Sequence, residues 1–321
     1  MARTVEPGGA LRTGLMARPG AAAVAGAMFI SFSGILVRLA AVSPSTAALF
    51  RCLYAVPPLA LLAVWERRRF GPRAARQRVL ALVAGIFFAA DLIFWHRSIA
   101  YVGAGLATVL GNIQVVLVGF IAWLTLGERL SPRLLAAIPI VLAGIVLISG
   151  VLEEGAYGSN PGLGVVYGVL TALAYSGFIL ILRQGNRDVR RPAGPLFDAT
   201  LVSAIVAAAA GWALGELDPV PGLESQLWLV LLAISAQVAG WLLISVSLPR
   251  LPAALTSILL TLQPVAAVVL SMLLIGEQPS PLQLGGVALV LAGVIVAALR
   301  KREAPEEAEP PLEPAVIEPA G

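Results

Sequence analysis

Apolar residues fall along this chain in long unbroken runs separated by short polar or proline-containing breaks. The runs lie near 20–42, 46–65, 79–99, 102–126, 133–151, 163–183, 195–215, 227–248, 252–275 and 282–299. A helix needs roughly 20 apolar residues to cross the hydrocarbon core of a bilayer, so the pattern predicts ten transmembrane helices. Because the runs are continuous rather than alternating, helices fit far better than barrel strands.

Composition strengthens that reading. Only 12% of residues are charged and 59% are hydrophobic, whereas a soluble domain is about one quarter charged. The formal charge of +4 decides little, but its placement decides orientation. Outside the spans, Arg and Lys fall at the N-terminus (Arg3, Arg12, Arg18), in even-numbered loops (Arg67 to Arg78; Arg129, Arg133; Arg187 to Arg191; Arg250) and past the last span. Odd-numbered loops carry Glu153, Glu154, Glu216, Asp218, Glu224 and Glu277 instead. The positive-inside rule then puts both termini in the cytoplasm, with the plasma membrane, the inner membrane of a bacterium, as the expected location. The basic start of the chain leads into a span of full length, which reads as an uncleaved signal anchor.

Residues 104–146 and 253–295 repeat one another without a gap. Sliding by 149 residues (104 to 253) places Gln114 on Gln263, Gly127-Glu128 on Gly276-Glu277, Ser131-Pro132 on Ser280-Pro281 and Leu142-Ala143-Gly144 on Leu291-Ala292-Gly293. Weaker matches, such as Phe32-Ser33-Gly34 with Tyr175-Ser176-Gly177, extend the duplication to whole five-helix units. Five is odd, so the second unit enters the membrane from the opposite side. The expected architecture is an all-α membrane protein of ten transmembrane helices in two inverted five-helix repeats, with both termini cytoplasmic. Its segments are a basic N-terminus (1–19), a first repeat (20–151), an external linker (152–162), a second repeat (163–300) and a disordered cytoplasmic tail (301–321), whose Pro, Glu and Ala cannot bury enough apolar surface to fold.

With its two halves, the Gly-Glu turns after spans four and nine and the Ala-Gly pair in the following helices, the chain resembles the drug/metabolite transporter superfamily, EamA-type ten-span branch. That resemblance implies a gradient- or proton-driven secondary carrier with a central cavity between the halves. Substrates across the superfamily range from amino acids and other metabolites to sugar nucleotides. The chain has no GxxxxGK[ST] nucleotide-binding loop, in keeping with a carrier not driven by ATP.

Charges inside a span cost roughly 2.5 to 3.5 kcal/mol, which makes them functional candidates. Asp91 reads either as a proton-carrying carboxylate or as the partner of a membrane arginine. Arg51 or Arg38 has the depth to pair with it or to bind a substrate carboxylate. His96 is a second proton-coupling candidate, although Arg38, His96 and Arg97 equally suit snorkelling to headgroups. Thr108 and Asn112 share a helical face, matched in the second unit by Ser257 and Thr261. Such faces either line a wet cavity or pack helices closely. Gln114 and Gln263 bind substrate or bridge helices. Pro264 frees a backbone carbonyl and suits a hinge. Tyr167, Thr171 and Tyr175 form a stripe on span six, and Gln237 and Trp241 lie one turn apart on span eight. Trp65, Trp95, Trp212 and Trp228 read as interfacial belt residues. Glu128 and Glu277 read as structural, capping spans five and ten. The Gly144 and Gly293 faces suit close packing, within one chain or across a dimer.

One cysteine, Cys52, and one histidine exclude a disulfide framework and a Cys- or His-rich metal centre. No cofactor and no nucleic-acid partner are expected. The reading is therefore a secondary transporter, not an enzyme, that exports a small amino acid or organic anion by alternating access. Its partners are the lipid bilayer, the substrate and protons as coupling ion, and it works as a monomer or homodimer. Its rivals are a membrane-embedded lipid-modifying enzyme and a non-transporting receptor or scaffold.

Overall fold

The computed structural model describes residues 19–126, 131–185, 188, 190–247, 251 and 253–298. All regular structure among them is helical: α1 Pro19–Ala40, α2 Pro44–Phe70, α3 Ala75–Val102, α4 in two arms (Ala104–Gly111 and Gln114–Leu126), α5 Pro132–Ile148, α6 Pro161–Gly185, α7 Ala193–Ala213, α8 Leu223–Ser247, α9 Ala253–Ile275 and α10 Pro281–Ala298. Eight spans among the described residues are long and apolar enough to cross a membrane, while Pro132–Ile148 and Leu262–Ile275 are shorter apolar helices. The longest, α3, has 28 residues, about 42 Å of helix at the usual rise. The outward-facing side chains of the bundle are apolar too: Trp212, Leu273 and Leu61 are 80%, 75% and 74% exposed. Such a coat is unfavourable in water and suits lipid.

Local sequence starts several helices in the same way. Ser43 precedes Pro44 and its side chain accepts from the Thr46 amide at 3.2 Å. Ser131 does the same for Leu134 at 3.1 Å, and Ser280 for Gln283 at 3.0 Å. Serine satisfies an orphan amide of the first turn, and proline at the first helical position has none to satisfy. The Ser131 and Ser280 caps are repeat counterparts, so the duplication visible in the sequence is also a duplication of local structure.

Packing carries the same symmetry. Helix α3 lies along α6 and α8 along α1, while α2 packs on α7, α4 on α9 and α5 on α10. If each helix is relabelled five places on, this set of neighbours maps onto itself. The glycines explain one close crossing: a Cβ on Gly144 would meet the Gly286 carbonyl at 2.7 Å, and one on Gly293 would meet Val141 Cγ2 at 2.5 Å. Their close packing is therefore between α5 and α10 of one chain.

Regular α-helix fails at a few places, and these define the interior. Helix α1 is interrupted at Phe32 and α4 at Asn112 and Ile113. Residues Ala233–Gly240 of α8 form a π-helical segment. Pro264 sits inside α9, as Pro57 and Pro58 sit inside α2. A π-segment or broken helix loses regular backbone bonding, and such sites often mark function.

Candidate functional site

The interruptions converge. Ser33 follows the break in α1, Asn112 lies at the break in α4, Trp241 follows the π-segment and Gln263 precedes Pro264, and all four line one cavity of about 90 Å³. Its walls come from α1, α2, α3, α4, α6, α8 and α9. Thr108 and Gln114 of α4 and Tyr175 of α6 complete the polar lining expected from the sequence.

Arg51 and Asp91 supply the charge. Both are buried, with 3% and 7% of their surface exposed. Arg51 enters from α2, and its Nε donates to Gln237 Oε1 at 3.0 Å. Gln237 then donates through Nε2 to Thr200 Oγ1 at 3.1 Å. Trp95 holds the guanidinium from another side, with Cζ 5.7 Å from the ring centroid, a separation at which the cation is attracted to the ring face. Gln237 is thus a positioning group behind Arg51, not part of the wall. Asp91, on α3, opens into the cavity and makes no hydrogen bond or ion pair among the described residues. Two opposite charges share one small chamber without closing on each other.

Aromatic rings form the opposite wall. Phe88 stacks on Phe178 with centroids 4.6 Å apart, and Trp241 meets Phe88, Tyr175 and Phe178 edge-on at 5.8, 6.0 and 5.6 Å. Two polar atoms there are buried without a partner: Trp241 Nε1 and Thr171 Oγ1. An unpaired buried donor is costly, and both belong to residues that line the cavity. Asn112 Nδ2 instead donates to the Thr108 carbonyl at 2.8 Å, one turn back in the same helix. Ser31 Oγ donates to the Gln263 carbonyl at 3.0 Å, which fastens α1 to α9 just before Pro264.

Other candidates lie elsewhere. His96 is buried but off the cavity, its Nδ1 3.1 Å from the Pro44 carbonyl and its Nε2 without a partner. Arg97 pairs with Glu216 at 2.6 Å and lies over Tyr167, whose ring stacks on Tyr101. The Tyr167, Thr171, Tyr175 stripe is therefore split: its lower two members line the cavity and Tyr167 holds an arginine. Arg38 is exposed at the end of α1. The side chains of Ser257 and Thr261, like Glu128, lie outside the described residues. Trp95 is a buried wall residue rather than a belt residue, although Trp65 and Trp212 are exposed as a belt requires.

Carboxylates fasten the two ends of the bundle. Glu277 does not cap α10, where Ser280 serves. It accepts from the Ala104 and Gly105 amides at 2.6 and 3.1 Å, capping α4. Gly103 permits this, because it turns at φ 90° and a Cβ there would meet the Glu277 carboxylate at 2.8 Å. At the other end Glu66 accepts from the Ala193 and Gly194 amides at 2.9 and 2.8 Å, capping α7. Asp198 is buried there and paired with Arg73. Neither Glu66 nor Asp198 stands out in the sequence, since a carboxylate at the edge of an apolar run looks like the start of a loop.

Comparison with known proteins fits this geometry. The EamA-like transporter family matches the chain twice, over residues 19–150 and 162–299. The chain belongs to the EamA-like transporter family, within the drug/metabolite transporter superfamily, and is a multi-pass membrane transporter. It is 24% identical over 229 residues to the uncharacterized transporter YxxF of Bacillus subtilis (strain 168), covering 71% of this chain and 72% of that protein. A shorter stretch of 83 residues is 40% identical to the zinc transporter ZupT of Escherichia coli O7:K1, and it covers 25% of this chain and 30% of that protein's length. Among solved structures, one crystal structure shares the fold with a TM-score of 0.60 at 18% identity, over 88% of this chain and 98% of the other.

Proposed function

We propose that the cavity is the substrate site of a secondary transporter that exports a small zwitterion of the amino-acid type across the plasma membrane by alternating access. In this reading the ten apolar helices all span the bilayer, the two halves (20–151 and 163–300) are inverted relative to each other, and both termini are cytoplasmic. The observation that carries it is the pair of opposite charges, Arg51 and Asp91, exposed to one chamber and not bonded to each other. A guanidinium held in place by Gln237 and Trp95 offers a fixed fork to a carboxylate, and a carboxylate without a partner suits an ammonium. Trp241 Nε1 and Thr171 Oγ1 are further contacts for a polar ligand, and the rings beside them suit an apolar side chain.

The local likeness to a zinc transporter raises a divalent cation as cargo. The chamber's chemistry disfavours it, because Arg51 places a positive charge beside the carboxylate that would have to bind the metal. Asp91 is also the group assigned to proton coupling.

Counterflow into proteoliposomes tests the reading. Purified protein preloaded with an amino-acid mixture is expected to accumulate labelled amino acids, while Zn²⁺ neither counterflows nor competes. Asp91→Asn is expected to remove the pH dependence of transport with expression intact. Failure of every amino acid and organic acid to counterflow defeats the substrate assignment, and unchanged pH dependence in Asp91→Asn returns that residue to a structural role.

A further inference from the structure

A second pocket, unrelated to the cavity, lies where the C-terminal end of α2, the turn into α3 and the N-terminal end of α7 meet. It measures about 190 Å³ and its polar lining is Glu66, Arg67, Arg73, Arg78, Arg191 and Asp198. Four guanidinium groups face two carboxylates, and both carboxylates are already engaged. Glu66 is held by the Ala193 and Gly194 amides, and Asp198 by Arg73 Nη2. Arg191 is committed as well: its Nε donates to Asp188 at 2.9 Å and its Nη1 to the Gly71 carbonyl at 3.1 Å. What remains is donor capacity. Arg73 Nη1 is buried with no partner. Arg67 and Arg78 are exposed on the rim and form no ion pair among the described residues.

A buried guanidinium N–H without a partner is costly and can be satisfied by an acceptor entering the pocket, and two neighbouring cations favour an acceptor that carries negative charge. A phosphate group fits those terms, since arginine forks match its oxygens in pairs. We infer that this pocket binds a phosphate-bearing anion, with half-buried Arg73, whose Nη1 is fully covered, as its anchor and Arg67 and Arg78 as its outer clasps. The lining continues into the apolar Ala60, Ala63, Val64 and Phe197, so the phosphate can belong to an acidic lipid headgroup or to a soluble phosphate. Anionic lipids gather basic sites on the cytoplasmic face, where this end lies if the proposed orientation holds.

Thermal unfolding of the full chain in neutral detergent tests the site, with phosphatidylglycerol, phosphatidylcholine and inorganic phosphate added separately. A saturating ligand is expected to raise the melting temperature by about 5 °C. A shift with phosphatidylglycerol but not phosphatidylcholine assigns a lipid headgroup, and a shift with inorganic phosphate assigns a free phosphate; either upholds the site. Arg67→Gln with Arg78→Gln, both on the rim, leaves the fold intact and is expected to weaken the response about tenfold in ligand concentration. Arg73→Gln combined with Asp198→Asn removes the anchor without stranding its partner and should abolish the shift. No shift with any of the three additions, or an undiminished response in the rim variant, overturns the proposal.

Discussion

The two copies contribute unequally to the cavity wall: the first supplies both of its charges and the second supplies none. Helices α2 and α3 contribute Arg51 and Asp91, whereas α6 and α8 contribute Tyr175, Trp241 and, from behind, Gln237. At the repeat offset of 149 residues (91 to 240) the position of Asp91 is held by Gly240. Away from the cavity the halves remain alike: the Ser-Pro caps of α5 and α10 and the glycine crossing between them are shared. Packing constrains both copies equally, because each helix must fit a counterpart. The chamber wall is under no such constraint, so charge has been concentrated in one copy while aromatic surface comes from both, Phe88 and Trp95 from the first and Tyr175 and Trp241 from the second.

This contrast ranks the expected effects of substitution. The largest belong to the charged side. Arg51→Gln and Asp91→Asn should each lower the rate of counterflow roughly 100-fold, the size expected for losing a buried charge-assisted contact, with little change in melting temperature. Next comes the shared packing. Gly144→Ala should cost about 2 kcal/mol in stability, because backbone atoms of Gly286 and Val290 occupy the space at 2.7 and 2.9 Å. Gly293→Ala should cost a similar amount, since the β-branched, buried Val141 side chain lies 2.5 Å from the added Cβ and has little room to turn. Denaturant or thermal unfolding of both variants checks the loss. On the neutral side, Trp241→Phe removes one donor and keeps the ring, so substrate affinity should fall about fivefold, in line with one neutral hydrogen bond. His96→Gln should change transport less than twofold. Equal losses on the two sides of the chamber would erase the distinction drawn between them.

Much of the architecture is legible in the sequence because it rests on what lipid demands. Long apolar runs, Ser-Pro starts and the matched glycines each have a local physical cause. In the chamber, Arg51, Asp91, Asn112, Tyr175, Trp241 and Gln263 stand out as polar or amphipathic groups within apolar runs, and the structure brings them together. Phe88 and Trp95 do not stand out, since an aromatic residue in a span looks the same whether it faces lipid, a neighbour or a ligand. Gln237 is visible as a buried amide, but its hold on Arg51 depends on the π-segment of α8, which no residue pattern announces. His96 stands out in the sequence as an ionisable ring in a span, and the structure places it off the cavity with Nδ1 at the Pro44 carbonyl.

The Glu277 clasp sets a condition on movement. Its carboxylate comes from the second copy and the two amides it holds come from the first, so parting the copies at that end surrenders both bonds together. Neither group tolerates a dry vacancy, and solvent has to arrive as the contact breaks. Any opening there would therefore have to admit water to this side chain.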